Sequence, residues 1–578
     1  DITGECDEFG AATAGAYRGL TPSIAFPEVV MTRPTNPLIL HGCPIHPGGG
    51  RAPVEAIAID GDRIVATGSL GEVRAAVGGA AYEKQLSGGA LLPAFADPHQ
   101  HAFLVAADPN VDVLHGCADI PDLLTRVAEI ARSGMPSGWV RVHGYLPLDL
   151  AERHSPTAAN LDSVCSDRPV HVLARTYHES VVNSAGLAAL GITRTTPDPP
   201  GGEIVRDRRG RPTGVLIESA SFLAEAASRL DDPTLWAQRL RAHGRRLAEH
   251  GIVRIGDGAV PAVAAAEFVR TLAEVGIEAR PLLVGSRIDE PGAGAGAGGT
   301  SKVLIDGGER CHFCFDTTQL RRIWVAAFGA ALGPDAKLAR ALSRASGRPR
   351  KDALGWHTGL RLTSAERLGE LLRDAADTGG GLALHAVGNG AVAGVLDALA
   401  AERTRSGVGT GAGGDTGAGA NVRIEHALTL DDELARRLGA TGLPVVTQPG
   451  FLRTHARQLV TIPPPAPLML FPLRSLLSHG AQLAFGSDYP AADLSPWPAI
   501  AAAVTRASGI PGRTVHPEQA LTLTEALDAT TATAARVLGV TDTGVLAAGL
   551  RADLQWVDAD PFAVAPEALA DIRARTVW

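Results

Sequence analysis

The middle of the chain alternates between short apolar, β-branched runs and longer stretches in which apolar residues recur at helical spacing. Stretches such as "TSAERLGELLRDAAD" and "LDDELARRLGA" predict helices between strands. Eight runs have the strand pattern: "LLPAFADPH", "GIVRIGDGA", "ARPLLVGS", "SKVLIDG", "GLALHAVG", "NVRIEHA", "LPVVTQPG" and "AQLAFGSD". This count predicts a closed parallel (β/α)8 TIM-type barrel. An open doubly wound sheet is the alternative, but it would need a GxGxxG turn after an early strand, and none follows one.

Both ends of the chain have strand patterns instead. "EAIAIDGDRIVATG" predicts a hairpin around Asp60-Gly61, and "TGVLAAGLRADLQWVD" predicts a pair of short strands near the C-terminus. Each end has an apolar face to cover, so we expect them to meet in one small β-sandwich domain. The predicted domains are therefore residues 1–92 with 536–578 for this β domain, and 93–535 for the barrel.

About 140 residues after the first barrel strand do not fit the barrel count. They include a hairpin pattern around Asp207 to Arg211 in "GGEIVRDRRGRPTGVL". We interpret residues of about 110–235 as an insertion over the mouth of the barrel. Two glycine-rich stretches, 292–299 and 407–420, predict flexible loops.

Composition narrows the function classes. The chain has 578 residues, a formal net charge of −9 and six cysteines. The negative charge argues against a nucleic-acid partner, and the sparse cysteines indicate a reducing compartment rather than a disulfide scaffold. No run of about 18 apolar residues predicts a membrane span, and no secretory signal pattern opens the chain. We expect a cytoplasmic protein with a small-molecule substrate and leave open whether it forms a homodimer.

Metal-binding and titratable side chains follow the predicted barrel strands. The active site of such barrels lies at the carboxyl ends of the strands, so these side chains should converge on one face. His99 and His101 alternate along the first strand, which puts both imidazoles on one side. The candidates are His99, His101, Lys302, His385, His426 and Asp488.

This mixture of residue types suits hydrolytic metal chemistry. Neutral imidazoles bind Zn²⁺ well, and a carboxylate opposite them holds a metal and accepts a proton. Metal binding lowers the pKa of water from about 15.7 to about 7, which gives hydroxide at neutral pH. A buried lysine beside cations becomes useful when neutral, because its amine then adds CO₂ and forms a carbamate that bridges two metals.

The ordered motifs "ALLPAFADPHQH", "SKVLIDG", "LALHAVG", "VRIEHA" and "LAFGSDYP" resemble the amidohydrolase superfamily. More narrowly, the chain resembles the amidohydrolase family 3 group of YtcJ-like and N-substituted formamide deformylase-like enzymes. Further matches are "TYHESVVNSAGLAALGI", "GGEIVRDRRGRPTGVLIESA" and "TQPGFL". The resemblance implies a distorted barrel with a β-sandwich from both chain ends, and one or two divalent metals, with Zn²⁺ the expected ion.

The resemblance also implies roles for individual residues. His99 and His101 would hold a first metal together with Asp488, and His385 and His426 would hold a second. Lys302, carboxylated by CO₂, would bridge the two. Asp488 would take a proton from the attacking metal-bound hydroxide and pass it to the leaving amine, while a metal or His426 polarises the carbonyl. His178, in the insertion, matches a histidine near the substrate.

Other residues are weaker candidates for the substrate pocket. Tyr145 in the insertion, His312 in the loop "GERCHFCFD" and Arg453 in "QPGFLRTH" could each contact substrate, but packing or surface roles account for them equally well. The Cys311-x-x-Cys314 pair lacks a second pair at zinc-finger spacing. The sequence also departs from the resemblance at Asn389, where the family commonly has an acid that could tune ligand basicity.

The sequence leaves three functions open. The favoured one is a metal-dependent hydrolase that cleaves an amide-type C–N bond in an N-acyl amine, an N-formyl amine or a cyclic amide. A metal-dependent decarboxylase or other lyase on the same scaffold is the second, and would use an anion-binding arginine. The third is a catalytically inactive binding homologue.

Overall fold

The fold is known from a computed structural model. It describes residues 36–578 apart from 80, 109, 134–137, 230–231, 286–298, 334–335, 338–340, 342–348, 353–354, 407–420 and 462–463. The first 35 residues of the predicted β domain, the stretch 407–420 and all but Gly299 of the stretch 292–299 lie outside the described residues.

Both ends of the chain contribute strands to one seven-stranded sheet. Its strands are Leu38–Ile45, Val54–Asp60, Arg63–Gly68, Tyr82–Gln85, Ala90–Pro93, Leu554–Val557 and Ala574–Val577. The strand Leu554–Val557 pairs antiparallel with Ala90–Pro93, which joins the C-terminal segment to the N-terminal one. Helix Leu70–Val77 covers one face, where Val73 packs in a buried cluster with Ile39 and Ala58.

One detail of the C-terminal prediction is wrong. The segment "TGVLAAGLRADLQWVD" contains one strand, Leu554–Val557, and not two. Its antiparallel partner, Ala574–Val577, comes after a 3-10 helix at Pro566–Asp571. The preceding residues bend instead of extending, with Gly544 and Gly549 both at positive φ, 82° and 86°.

Eight parallel strands form a nearly closed barrel, as the sequence predicts. They are named barrel strands 1 to 8 in chain order: Phe95–Gln100, Ile252–Pro261, Glu278–Val284, Thr300–Leu304, Gly381–Ala386, Asn421–His426, Pro444–Thr447 and Gln482–Phe485. Strands 1 and 5 are buried at every position, as expected where side chains fill the barrel on one face and helices cover the other.

Two backbone hydrogen bonds join barrel strand 1 to the segment after strand 8. The amide of Asp488 donates to the carbonyl of His99 at 2.7 Å, and the amide of His101 donates to the carbonyl of Tyr489 at 2.9 Å. The carboxylate of Asp97 adds bonds from the amide and the hydroxyl of Ser487. The two ends of the barrel sheet are therefore tied together at the mouth, through residues predicted to bind metal.

Helices separate most of the barrel strands. Helix Ala365–Thr378 begins where Ser364 accepts from the amide of Arg367 and ends at Gly379, whose φ of 68° stops the helix. The other barrel helices with eight or more residues, in the part of the chain that the structure describes, are Pro233–Glu249, Ala265–Ala273, Thr317–Leu332, Asn389–Ser406, Asp432–Gly439, Pro496–Thr505 and Leu523–Thr530. Shorter ones are Ala102–Ala107, Phe451–Thr454, Ala456–Val460, Leu473–Ser478 and Ala532–Val537. Among the helices in the described residues, none has the length and apolar character needed to cross a bilayer.

The residues after barrel strand 1 form a second sheet of five strands. In sheet order these are Gly202–Arg206, Pro212–Glu218, Glu179–Val182, Val170–Ala174 and Val140–Tyr145. The first two form the predicted hairpin, closed by the amide of Asp207 donating to the carbonyl of Arg211. Helices Ile120–Ser133, Ala158–Asp162, Ser184–Ala189 and Ser219–Ser228 complete the insertion. A small third sheet at the mouth joins Phe313–Phe315, Arg350–Asp352 and Gly355–Thr358.

Substitutions at two neighbouring glycines, Gly88 and Gly89, test how the two ends of the chain pair. Gly88 and Gly89 both have positive φ, but a Cβ on Gly89 would lie 1.8 Å from the carbonyl oxygen of Val557, whereas a Cβ on Gly88 meets nothing within 4 Å. We expect Gly88→Ala to cost about 1 kcal/mol from backbone strain alone. Gly89→Ala should cost about 2–4 kcal/mol, because the clash adds to the strain. Thermal unfolding midpoints of the two variants measure this difference, and equal midpoints would contradict the pairing of the two chain ends.

Candidate active site

Five of the six predicted metal-site residues occupy one of the last two positions of a barrel strand or follow a strand, and Lys302 lies in the middle of one. His99 lies in barrel strand 1 and His101 directly follows it. His385 and His426 lie at the ends of strands 5 and 6. Asp488 follows strand 8. Parallel strands of a barrel end at the same mouth, so the fold brings these side chains together.

Short distances connect the members of this group. Ligand atoms of His99, His426 and Asp488 lie within 4.8 Å of one another. Nε2 of His101 lies 3.0 Å from Oδ1 of Asp488, and Nε2 of His99 lies 3.4 Å from both Oδ1 of Asp488 and Nζ of Lys302. The rings of His385 and His426 have centroids 4.3 Å apart. All six predicted residues thus belong to one connected cluster.

Burial decides the charge of two histidines in this cluster, His385 and His426. It lowers the pKa of His426 to about 3 and that of His385 well below its usual range. Both imidazoles are therefore neutral at pH 7, the form that binds a metal. In the described part of the chain, Nε2 of His385, Nε2 of His426 and Nδ1 of His101 are buried without a hydrogen-bond partner. Buried polar atoms normally have partners, so these nitrogens fit a bound cation.

The other charged members complement the neutral histidines. Although burial opposes it, contacts with His99 and His101 hold the pKa of Asp488 well below its usual range, so this carboxylate is ionised. Burial lowers the pKa of Lys302 to about 8, which increases the fraction of neutral amine. A lysine in this state is available for carbamate formation.

Two site residues have unusual backbone angles. His426 has a φ of 78° and Asp488 has a φ of 53°, in the left-handed region that residues other than glycine rarely adopt. Such conformations persist where the surrounding structure imposes them, and they concentrate at functional sites. The fold therefore holds both side chains at the mouth at a cost in backbone energy.

Sequence reasoning missed the partners that orient the histidines. Nδ1 of His99 donates to Glu425 at 2.5 Å, and Arg423 donates to the other oxygen of that carboxylate at 2.5 Å. Nδ1 of His426 donates to the side-chain oxygen of Gln448 at 2.9 Å. Each bond leaves Nε2 facing the cluster, which is the usual arrangement around metal ligands. Glu425 lies in the motif "VRIEHA", directly before His426, and Gln448 lies in the motif "TQPGFL". Their presence in these recognised motifs was the sequence feature that could have identified them.

The two candidate residues from the insertion, His178 and Tyr145, differ in whether they lie beside the metal-site cluster. His178 packs its ring against His385, with centroids 5.5 Å apart, and its Nδ1 lies 2.6 Å from Glu218. Although burial opposes it, Glu218 raises the pKa of His178. Tyr145 is buried, and its hydroxyl lies within hydrogen-bond distance of the side chains of Ser155 and Glu179. His178 is thus beside the cluster, whereas Tyr145 is hydrogen-bonded within the insertion.

The remaining candidates, His312 and Arg453, differ in their exposure to solvent. His312 is buried and its amide donates to Asp306. Arg453 is exposed and lines a cleft with Asp149, Arg153 and Arg457. The part of His312 and Arg453 in substrate binding stays a prediction.

The unusual loop around Cys311 and Cys314 is tied into the barrel by Asn389 and Asp306. The side chain of Asn389 accepts from the amide of Cys314 at 3.0 Å and donates to its carbonyl at 2.8 Å. Asp306 accepts from the amides of His312, Val387 and Gly388. Neither of these two cysteines forms a disulfide bond. Asn389 therefore fastens this loop to helix Asn389–Ser406.

Comparison with known proteins decides the family. The family model described as the amidohydrolase family matches residues 85–578. The chain belongs to this family. It is 29% identical to the N-substituted formamide deformylase of Arthrobacter pascens, over 90% of this chain and 92% of that protein. It is 25% identical to YtcJ of Bacillus subtilis (strain 168), over 89% and 93% of the two chains.

Solved structures support the fold of this amidohydrolase. An uncharacterised metal-dependent hydrolase from Pyrococcus horikoshii OT3 superposes with a TM-score of 0.63 at 20% identity, covering 92% of this chain and 99% of that one. An uncharacterised metal-dependent hydrolase from Pyrococcus furiosus superposes with a TM-score of 0.61 at 21% identity, covering 91% of this chain and 99% of that one. At this identity the likeness concerns the fold, and it confirms the predicted barrel.

Metal content tests the cluster directly. We expect His426→Ala to lose bound Zn²⁺, because it removes a neutral nitrogen ligand. Glu425→Gln should weaken binding by about 10–100-fold, because it removes the carboxylate that orients His99. Metal analysis after equilibration with buffered Zn²⁺ measures both. His154→Gln is the matched control, because His154 is exposed in the insertion. Unchanged metal content in His426→Ala would refute the assignment.

Proposed function

We propose that this amidohydrolase cleaves an amide-type C–N bond, in an N-acyl or N-formyl amine or a cyclic amide, with the help of a divalent cation. The observation that carries the proposal is the pair of buried, neutral imidazoles of His385 and His426, whose Nε2 atoms lack hydrogen-bond partners in the described residues, in one cluster with the ionised Asp488. The likeness to an N-substituted formamide deformylase favours this bond class. The reaction consumes one water and yields a carboxylic acid, formic acid for a formamide, and an amine.

The donor set suits one or two ions, with Zn²⁺ the expected metal. His99 and His101 would hold the first ion together with Asp488, and His385 and His426 the second. Lys302 would bridge them as a carbamate formed from CO₂. When bound, such an ion supplies Lewis acidity and makes water nucleophilic at neutral pH.

The protonation states suggest how the protein's own groups act. Asp488 is ionised and lies at the mouth, so its Oδ1 can accept a proton from the attacking water and pass it to the nitrogen of the leaving amine. His426 donates through Nδ1 to Gln448, which leaves the lone pair on Nε2. This tautomer favours His426 as a ligand over His426 as a proton donor to the carbonyl oxygen.

Turnover of a simple amide tests the reaction. We expect the Zn²⁺-loaded protein to release formate from N-butylformamide, to lose activity after chelation, and to regain it when Zn²⁺ is added back. Asp488→Asn should lower kcat by at least about 100-fold, because a proton acceptor is lost. Enzymatic formate detection measures the rate. Absence of hydrolysis with N-butylformamide, an N-acetyl amine and a cyclic amide would overturn the proposed reaction.

Chemical rescue tests the carbamate. Lys302→Ala should lose most activity, and small carboxylates such as acetate should restore part of it by occupying the place of the carbamate. ¹³C-labelled CO₂ should label the wild type and not the variant, which nuclear magnetic resonance detects. A wild type that retains no label after Zn²⁺ loading would remove the carbamate from the proposal.

A further inference from the structure

A histidine–carboxylate pair lies beside the metal-site cluster. His178 comes just before strand Glu179–Val182 of the insertion, and Glu218 ends strand Pro212–Glu218 of the same sheet. Nδ1 of His178 lies 2.6 Å from Oε2 of Glu218. Glu218 is completely buried, whereas the His178 side chain remains 17% exposed. The carboxylate is therefore enclosed, and the imidazole extends from it towards open space.

A barrel loop holds the other side of the Glu218 carboxylate. Oε1 accepts from the amide of Glu309 at 2.8 Å and from the amide of Arg310 at 2.9 Å. These residues follow barrel strand 4, so Glu218 connects the insertion to the barrel. Its backbone has a φ of 53°, a conformation that costs energy in a residue other than glycine. Both carboxylate oxygens and the backbone are thus fixed.

Two glycines let the barrel loop approach the pair. A Cβ on Gly307 would lie 2.3 Å from Oε1 of Glu218, and a Cβ on Gly308 would lie 2.5 Å from a ring carbon of His178. The Gly308 amide nitrogen lies 3.3 Å from Nδ1 of His178. Since Nδ1 donates its proton to Glu218 at the shorter distance, it cannot also accept, and this contact is close packing. The loop therefore clamps the imidazole against its carboxylate.

No hydrogen bond to Nε2 of His178 is seen within the described part of the chain, and this ring lies beside the metal-site cluster. Nδ1 is occupied by Glu218, and the ring packs against His385 with centroids 5.5 Å apart. We propose that Glu218 is a positioning residue that fixes the ring plane and the protonated Nδ1 of His178, so that Nε2 meets the amide group of the substrate. This role rests on the proposed amide hydrolysis. It gives a reason for the buried, strained glutamate that packs against Gly307 at the mouth of the barrel.

The protonation of Nδ1 can be measured without turnover. In metal-loaded protein labelled with ¹⁵N-histidine, we expect His178, assigned by its disappearance in His178→Ala, to carry a proton on Nδ1. This result needs no Glu218 variant and no substrate. A proton on Nε2 with a bare Nδ1 would overturn the positioning role, whatever the enzyme hydrolyses.

A double-mutant cycle tests the link to the substrate. With N-butylformamide we expect His178→Ala and Glu218→Gln each to lower kcat/KM by about 10–100-fold, and the double variant to be no worse than His178→Ala alone. Zn²⁺ content should stay at the wild-type level in all three. Glu203→Gln is the matched control. The Glu203 carboxylate accepts a hydrogen bond from the side chain of Arg310, but it is exposed to solvent.

The outcomes separate the two proposals. Losses that multiply in the double variant, or a fall in Zn²⁺ content that parallels the fall in rate, would overturn the positioning role and indicate a purely structural one. If no amide is hydrolysed but Nδ1 of His178 is protonated through Glu218, the proposed reaction fails and the geometry of the pair stands.

Discussion

Burial at the mouth of the barrel is the constraint on which the site depends. An imidazole in water is partly protonated near neutral pH, and a protonated imidazole cannot bind a cation. Enclosing His385 and His426 lowers their pKa values far enough to keep both neutral. The same enclosure would make isolated charges costly, so the charged groups at the site lie within reach of one another: Asp488 contacts His99 and His101, and Glu425 contacts His99 and Arg423.

Three histidines at the mouth share one arrangement. His99, His426 and His178 each use Nδ1 to bind an acceptor, which is Glu425, Gln448 and Glu218 respectively. In each case Nε2 is the nitrogen left for chemistry. The acceptors differ in charge: Glu218 raises the pKa of His178 although burial opposes it, whereas burial lowers the pKa of His426, whose partner Gln448 is uncharged. The partner on Nδ1 thus fixes which nitrogen of each ring is left for chemistry.

Much of the fold could be predicted because periodicity is a local property. All eight barrel strands and the six-residue cluster were recognisable, since strand ends in a parallel barrel meet by geometry alone. Glu425, Gln448 and Glu218 were not assigned, although their motifs were recognised. Their roles depend on contacts with residues remote in sequence, such as Glu218 with the amide of Arg310. The C-terminal strand pairing failed for a similar reason, because Ala574–Val577 pairs across a long excursion of the chain.

The bonds between His99 and Asp488 and between His101 and Tyr489 have a consequence for biosynthesis. A ribosome makes His99 early and Asp488 only after most of the polypeptide has emerged. Until then the barrel of the nascent chain is not closed between its first and last strands, and the Asp488 carboxylate is absent from the candidate site. For the metal site proposed above, loading would therefore follow translation of Asp488, because a chain truncated before that residue has the four candidate histidines and lacks the carboxylate.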